Sequence, residues 1–571
     1  MKSYVRSIRR SFSYRQTVLY YFFVTAFIVV LLIFAEIWNT RTMITVPAVG
    51  GELVEGIIGT PRFVNPILAV SDSDRDISTL VYSGLMKVGE DGKLVTDLAE
   101  SFQISSDGMT YMFKLKKDAV FHDGQALTAD DVVYTINRAQ DPIVKSPRRA
   151  SWEGVTTEAV DDEAIVFRLK QPFSGFLENT TIGILPEHLW KTSSSELFAF
   201  NDLNFNAVGS GPYEITKVKK DNKEVPTEYT LASFSRYVLG RPKISQIKLK
   251  FFASEENLFD ALNNGNINSA GALSPMFIKY ISPSMNRIVT APLPRVFGVF
   301  FNQFQNKLFA KSEVRLALDA AIDKDKLIKN VLSGYGTAID GPLPPGSLGY
   351  RSIIAKPATD SERILKAQAF LQKGGWKLDE KKGVMIFADK KEPLELKFTL
   401  TTVNSEELKG AAEFVASEWK KIGAEVTIKT LDLGDLNQNV IRPRNYDALL
   451  FGEIVGRDPD LFSFWHSSQR NDPGLNIAQY TNVQTDKILE KIRVQPDESK
   501  RLELIEQFSS AVNKDRPAVF LYSPVFLYVV PMDLKNMNLS SISISSDRFI
   551  NVSEWYLSEE KIWPLFRKLT N

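Results

Sequence analysis

Residues 94–139, LVTDLAESFQISSDGMTYMFKLKKDAVFHDGQALTADDVVYTINRA, carry the reading of the fold. Within TYMFKLKKDAVF, Tyr111, Phe113 and Leu115 alternate with Met112, Lys114 and Lys116, the period-two pattern of a strand with one face buried. Asp123-Gly124 then supplies a turn. Thr128 stands where its hydroxyl can cap a helix over ADDVVYTINRA, with Asp130 and Asp131 in the first turn at the positive end of the dipole. The same residues allow a chemical reading, because His122 beside Asp123 and the adjacent acids could serve as an oriented base and a proton-sharing or metal-holding pair. Caps and turns are far commoner than catalytic dyads, so the stretch reads as strand, turn and capped helix.

The pattern repeats along the chain. Strand-like runs occur at AIVFRLK (164–170), ISQIKLKFF (244–252), LELKFTLTT (394–402) and AEVTIKTLDL (424–433). Helical patterns lie between and after them at 254–265, 311–334, 361–375, 407–423 and 497–515, several closed by glycine. This interleaving implies an α/β architecture with mixed sheets. With 571 residues, 44% hydrophobic and 24% charged, the chain is of globular composition and long enough for several compact units.

Lys2, Arg6, Arg9, Arg10 and Arg15 precede Gln16–Ala35, QTVLYYFFVTAFIVVLLIFA, a run of twenty residues without a charge. As a helix it would extend about 30 Å, the thickness of a bilayer core. The positive-inside rule leaves residues 1–15 as a cytoplasmic basic tail, 16–38 as a transmembrane anchor with Tyr20, Tyr21 and Trp38 near the interfaces, and 39–51 as a tether. A cleaved signal peptide shares the basic start, but the apolar run is long for one, so the reading is an uncleaved signal anchor in the cell membrane with a large extracytoplasmic body. The overall charge is +1, so the body without its five leading cations is mildly acidic and unlike a nucleic-acid binder.

Cysteine is absent, which excludes disulfides, thiolate metal sites and a lipidated cysteine. The three histidines, His122, His188 and His466, form no short metal spacing. The chain has no GxxxxGK[ST] loop, and GSGPY (209–213) does not meet the dinucleotide pattern. The GxSxG and HExxH signatures of hydrolases are missing too, and no SxxK has KTG partners. These observations imply no catalytic residue, no metal and no cofactor.

Several blocks in order resemble one family: the extracytoplasmic solute-binding proteins of peptide-type ABC transporters, the dipeptide and oligopeptide class called family 5. They are GTPRFVNPILAVSDSDRDISTLVYSGLMKV, the stretch 94–139, GSGPYEI, FNQFQNKLFAKSEVRLALDAAIDKDKLIKNVLSGYGTAIDGPLPPG, KAQAFLQKGGW, YDALLFGEIVGRDPDLFSFWHS and YTNVQTDKILEKIR. The resemblance implies a bilobal periplasmic-binding-protein-like fold that closes over a ligand. It places a discontinuous lobe I at 52–84, 206–292 and 531–571, an added domain II at 85–205 and lobe III at 293–530. It further implies a monomer that receives a peptide or peptide-like solute and passes it to permease and ATPase subunits.

Such proteins hold an extended peptide through its backbone, as an added strand. In well-known members an acid just before an Asp-Pro pairs with the peptide amine. Here GEIVGRDPD (452–460) puts Val455 at that position, so Glu453 or Asp458 is left to supply the charge. Gly452 would permit close approach of a ligand backbone. Phe301 and Asn302, from FFNQ, are the remaining ligand-binding candidates, and Trp465 and His466 could line a pocket. Two other readings stay open: a sensory binding module for a non-peptide solute without a permease, and a surface hydrolase using His122 or His466.

Overall fold

The computed structural model describes residues 13–271, 273–352, 359–389, 392–539 and 542–563. Its organising element is the 14-residue strand Ala518–Pro531, whose two halves belong to different neighbours. Ala518 to Tyr522 pair antiparallel with Phe300 to Phe297 of strand Arg295–Phe301. Val525 to Pro531 pair instead with Pro292 to Asn286 of strand Asn286–Pro292, and Tyr528 and Val529 with strand Ser269–Gly271. One continuous sheet therefore passes through both lobes, and this strand crosses between them. The boundary expected between residues 530 and 531 would leave all but the last residue of the strand with lobe III, whereas the pairing divides it near Ser523 and Pro524.

On one side of that strand the sheet continues through Glu52–Ile58, Gln246–Phe252, Pro226–Ser233 and Tyr213–Lys220. On the other it continues through Arg295–Phe301, Ala448–Ile454, Lys397–Val403 and Glu425–Leu431. Gln246–Phe252 runs parallel to Glu52–Ile58, and Lys397–Val403 runs parallel to both its neighbours, so the sheet is mixed as expected.

A separate antiparallel sheet of Ala99–Ile104, Thr110–Leu115, Val155–Ala159 and Ala164–Leu169 builds the inserted region. Tyr111, Phe113 and Leu115 are buried while Met112 and Lys114 are exposed, as alternation dictates. One apolar core runs without a break from this sheet, through Phe113, Trp152 and Phe167, to Leu53, Tyr213 and Tyr229 beside the central sheet. The second lobe has a core on each face of its sheet, one around Phe301, Phe398 and Trp419 and one around Leu449, Trp465 and Phe508.

Helix Ala129–Gln140 begins where expected, but the capping chemistry is reversed. The Asp131 carboxylate accepts from the Thr128 backbone N–H at 2.8 Å and from Glu187 N at 2.8 Å. It thereby ties the helix start to the first residue of the short helix Glu187–Trp190. The helical pattern 311–334 is two helices, Ser312–Ala321 and Lys324–Val331, because Asp323 caps the second by accepting from Lys326 N at 3.0 Å.

The N-terminal helix spans Tyr14–Thr42 and its apolar stretch Tyr14–Trp38 has no buried residue. It is long and apolar enough to cross a membrane. The four leading cations Lys2 to Arg10 lie outside the described residues. The segment read as a tether carries structure: strand Ile44–Pro47 pairs with Glu559–Ile562, and Gly50 N donates to Lys243 O at 2.8 Å.

Candidate functional site

The two lobes meet where strand Arg295–Phe301 starts and strand Ala448–Ile454 ends. Val455 N and Gly456 N both donate to Pro294 O, and Gly456, at φ +79°, turns the chain out of the sheet. The following residues are then fixed one by one. Asp458 accepts two hydrogen bonds from Arg501 Nη1 at 3.0 and 2.8 Å, and Asp460 accepts from Arg493 at 3.2 Å. Immediately before these anchors Arg457 reaches across to Asp547 in the first lobe, with side chains 9% and 14% exposed. A second bridge joins the inserted region to the second lobe, where Ser174 N and Oγ donate to Arg493 O at 3.4 Å.

Asp547 sits in the short helix Ser545–Phe549, which a buried ionic cluster holds in place. Arg548 donates Nε to Glu55 at 3.0 Å and both terminal nitrogens to Asp76 at 2.8 and 2.7 Å. Tyr528 Oη donates to the other Glu55 oxygen at 2.9 Å. The cluster thus joins strand Glu52–Ile58, helix Asp72–Val81 and the crossing strand to the turn that carries Asp547. Burial pushes the Asp76 carboxyl up to about 6 against the opposing pull of Arg548.

Behind this contact lies a cavity of about 220 Å³ between the first lobe and the inserted region, with Arg75, Tyr82, Arg148, Trp152, Glu178 and Asp547 among its walls. Burial raises the Glu178 carboxyl, and the charges of Asp458 and Asp547 add to this while Arg457 opposes it. At the mouth of the second lobe, Arg295 lies within the fields of Asp72 from the first lobe and Glu407 from the second, and its Nε has no hydrogen-bond partner. Glu407 accepts from Tyr522 Oη at 2.8 Å, and Tyr522 stacks on Phe297 with centroids 5.1 Å apart.

The sequence candidates separate into two groups. Phe301 pairs with Ala448 and Arg295 with Ile454, so Phe301 and Asn302 lie at the far end of the strand pair, roughly 20 Å from the lobe junction. Phe301 is fully buried and stacked on Phe309 at 4.5 Å. Asn302 donates to Arg444 O at 2.8 Å and accepts from Phe304 and Gln305 N, which shapes a turn.

Gly452, Glu453, Val455 and Asp458 are at the junction but face different ways. A Cβ on Gly452 would lie 2.6 Å from the Phe297 ring, so the glycine makes room for the aromatic stack. Glu453, opposite Val296, turns to the other face, where Val296 and Val455 enter the core. It is 6% exposed, and burial alone holds its carboxyl well above the usual range. Trp465 is buried in the same core, and His466 Nδ1 accepts from Ser468 N at 3.1 Å.

Arg457, Arg75, Arg148, Glu178, Arg295 and Asp547 do not stand out in the sequence. Arg457 had a readable signal, a cation inside the very GRDPD motif that draws attention. The others carry none, because segments as far apart as residues 75 and 547 converge only through the fold. As for the chemical reading, His122 Nδ1 accepts from Gly209 N at 3.3 Å and Nε2 lies 3.1 Å from Gly211 O, while Asp123 pairs with His188 at 2.7 Å. His122 and Asp123 therefore have different partners.

Two lobes sharing one crossing strand and joined by the Arg457–Asp547 ion pair beside a cavity define a binding protein of the two-lobed class. Residues 93–474 match the family described as bacterial extracellular solute-binding proteins, family 5 (middle region), and the chain belongs to that family. The oligopeptide-binding protein AppA of Bacillus subtilis is 28% identical over 519 residues, covering 90% of this chain and 93% of AppA. Its structure in complex with a nonapeptide superposes with a TM-score of 0.66, covering 90% of this chain and all of that one. The ABC transporter substrate binding protein CtaP of Listeria monocytogenes is 27% identical with a TM-score of 0.75, covering 89% and 99% of the two chains. NikZ of Campylobacter jejuni, in complex with Ni(L-His), is 25% identical with a TM-score of 0.68 over 88% and 99%.

Proposed function

We propose that this protein is a membrane-anchored extracytoplasmic receptor that captures a peptide or peptide-like solute between its lobes and delivers it to an ABC permease. The observation that carries the reading is the Arg457–Asp547 pair, which joins the lobes across the cleft beside the cavity. Lobes joined through a shared strand and closed by such a pair suit hinge closure around a ligand. The membership in family 5 and the nonapeptide held by AppA support the peptide class.

A backbone edge supports it further. Strands Lys397–Val403 and Ala448–Ile454 pair only at Leu400↔Ala448 and Thr401↔Leu449, so Phe451 to Ile454 lie beyond that ladder. An extended peptide added there would make main-chain hydrogen bonds and tolerate varied side chains. The helix Tyr14–Thr42 serves in this reading as an uncleaved anchor, and the body acts as a monomer that catalyses no reaction. The second reading, a non-peptide solute, is favoured by the nickel complex of histidine held by NikZ.

Thermal-shift titration of the detergent-solubilised chain with defined peptides, oligosaccharides and metal-histidine complexes tests the proposal. Stabilisation by peptides is expected, and stabilisation only by the other classes would replace it. Incubation with the same peptides should leave them intact by mass spectrometry.

A further inference from the structure

Met43 alone separates helix Tyr14–Thr42 from strand Ile44–Pro47. The apolar stretch of that helix ends at Trp38, so four helical residues and two extended ones place Ile44 at most about 13 Å from its boundary. The strand leads away from the helix, and Glu559–Ile562 pairs with it antiparallel, with Ile562 opposite Ile44 and Glu559 opposite Pro47. The chain therefore leaves Ile562 heading back towards the end of the anchor. It begins that return with Trp563, which is 44% exposed.

The two strands do little to hold themselves together. They form a sheet of their own, and none of the four residues in either strand is buried. Such a pair is marginal in water unless its ends are fixed. Ala48 N donates to Ser558 O at 2.9 Å and fixes the end beside the body. The end beside the anchor carries Trp563 and the residues after it. Residues 564–571, PLFRKLTN, lie outside the described residues, but their sequence is informative. Trp563, Leu565, Phe566 and Leu569 alternate with two cations, Arg567 and Lys568, and no acid is present. Tryptophan is favoured at the headgroup level of a bilayer, and apolar side chains mixed with cations suit an anionic membrane surface.

We propose that residues 563–571 make a second membrane contact on the outer bilayer surface beside the anchor, with Trp563, Phe566 and Leu569 in the interface and Arg567 and Lys568 at anionic headgroups. This rests on the membrane-anchor reading. The paired strands then hold the first lobe to the bilayer through two segments, which restricts its swing about Met43.

The chain has no cysteine, so one introduced cysteine carries a single fluorescent label. The full chain is reconstituted in vesicles of phosphatidylcholine, alone or mixed with phosphatidylglycerol, and labelled at Thr570→Cys or, to report the anchor, at Val29→Cys. The Val29 label should be quenched by deep lipid-borne quenchers. The Thr570 label should be quenched by headgroup-level lipid quenchers and shielded from aqueous iodide, more strongly with phosphatidylglycerol present. Arg567→Gln with Lys568→Gln should shift the segment towards water by about fivefold per cation in the anionic vesicles. Trp563→Ser with Phe566→Ser should weaken the contact in both lipids. With the Val29 label in the bilayer, three results overturn the contact and keep the anchor: a Thr570 label open to iodide in both vesicle types, one shielded from iodide without lipid quenching because the segment packs on the protein, or quenching unaltered by both pairs of substitutions. A Val29 label outside the bilayer overturns both.

Discussion

Replacing Arg548 by methionine strikes the cluster that positions the closing turn. The guanidinium makes three hydrogen bonds of 2.7 to 3.0 Å to Asp76 and Glu55, and Arg548, Asp76 and Glu55 are 2%, 1% and 0% exposed. Arg548→Met leaves two carboxylates buried without a cation. Breaking a buried pair in this way costs about 3–5 kcal/mol, mostly the penalty of stranded charge. Neutralising the acids in the background of Arg548→Met, with Glu55→Gln and Asp76→Asn, should therefore recover much of the loss.

Proton linkage adds a second signature. The folded-state pKa of Asp76, about 6, lies above its ordinary value, so its ionisation weakens the fold as pH rises from about 4 through 6. Arg548 moderates that shift, so removing it raises the carboxyl further and makes the loss larger at pH 7 than at pH 5. Urea unfolding of the detergent-solubilised protein, followed by tryptophan fluorescence, reads the transition of the first lobe through Trp555, which is fully buried. A loss below about 1 kcal/mol at pH 7, or one equal at both pH values, would show that stranded charge is not what Arg548 prevents.

Arg457→Gln and Asp547→Asn should each weaken solute binding by roughly tenfold and enlarge the radius of gyration of the bound state in small-angle scattering, because each opens the closure pair. Glu453→Gln removes a carboxyl that burial holds well above the usual range, so stability at pH 7 should rise by about 1 kcal/mol or more with affinity changed less than twofold; a loss of about 1.5–3 kcal/mol for an amine-bearing ligand alone would instead assign charge recognition to it. His122, held down to about 4 chiefly by burial, is a base whose protonation favours the unfolded chain. Its contribution is present above about 6.5 and is lost as pH falls towards 4, by up to about 3 kcal/mol, and His122→Gln should flatten that part of the pH–stability curve measured by thermal unfolding.

Local patterns were readable from the sequence. The alternation in 110–115, the helix start near Thr128 and the mixed strands and helices all depend on neighbours within a few residues. The division at Asp323 was hidden because a capping aspartate inside a long amphipathic run looks like a solvated face. The site was less legible still. Gly452 and Glu453 are adjacent, yet the strand sends them to opposite faces, and only the pairing of Gly452 with Phe297 shows what the glycine accommodates. Arg75, Arg148 and Asp547 come together from three distant segments, and no periodicity records that meeting. The tether likewise looked unpatterned because its strand partner, Glu559–Ile562, lies at the other end of the chain.

Whether the lobes hold a peptide is decided by native mass spectrometry of the full chain, released from detergent after incubation with a defined peptide mixture. One peptide bound per monomer is expected, with occupancy reduced in Arg457→Gln. Absence of any peptide adduct, with oligosaccharides or metal-histidine complexes bound in its place, would contradict the peptide receptor.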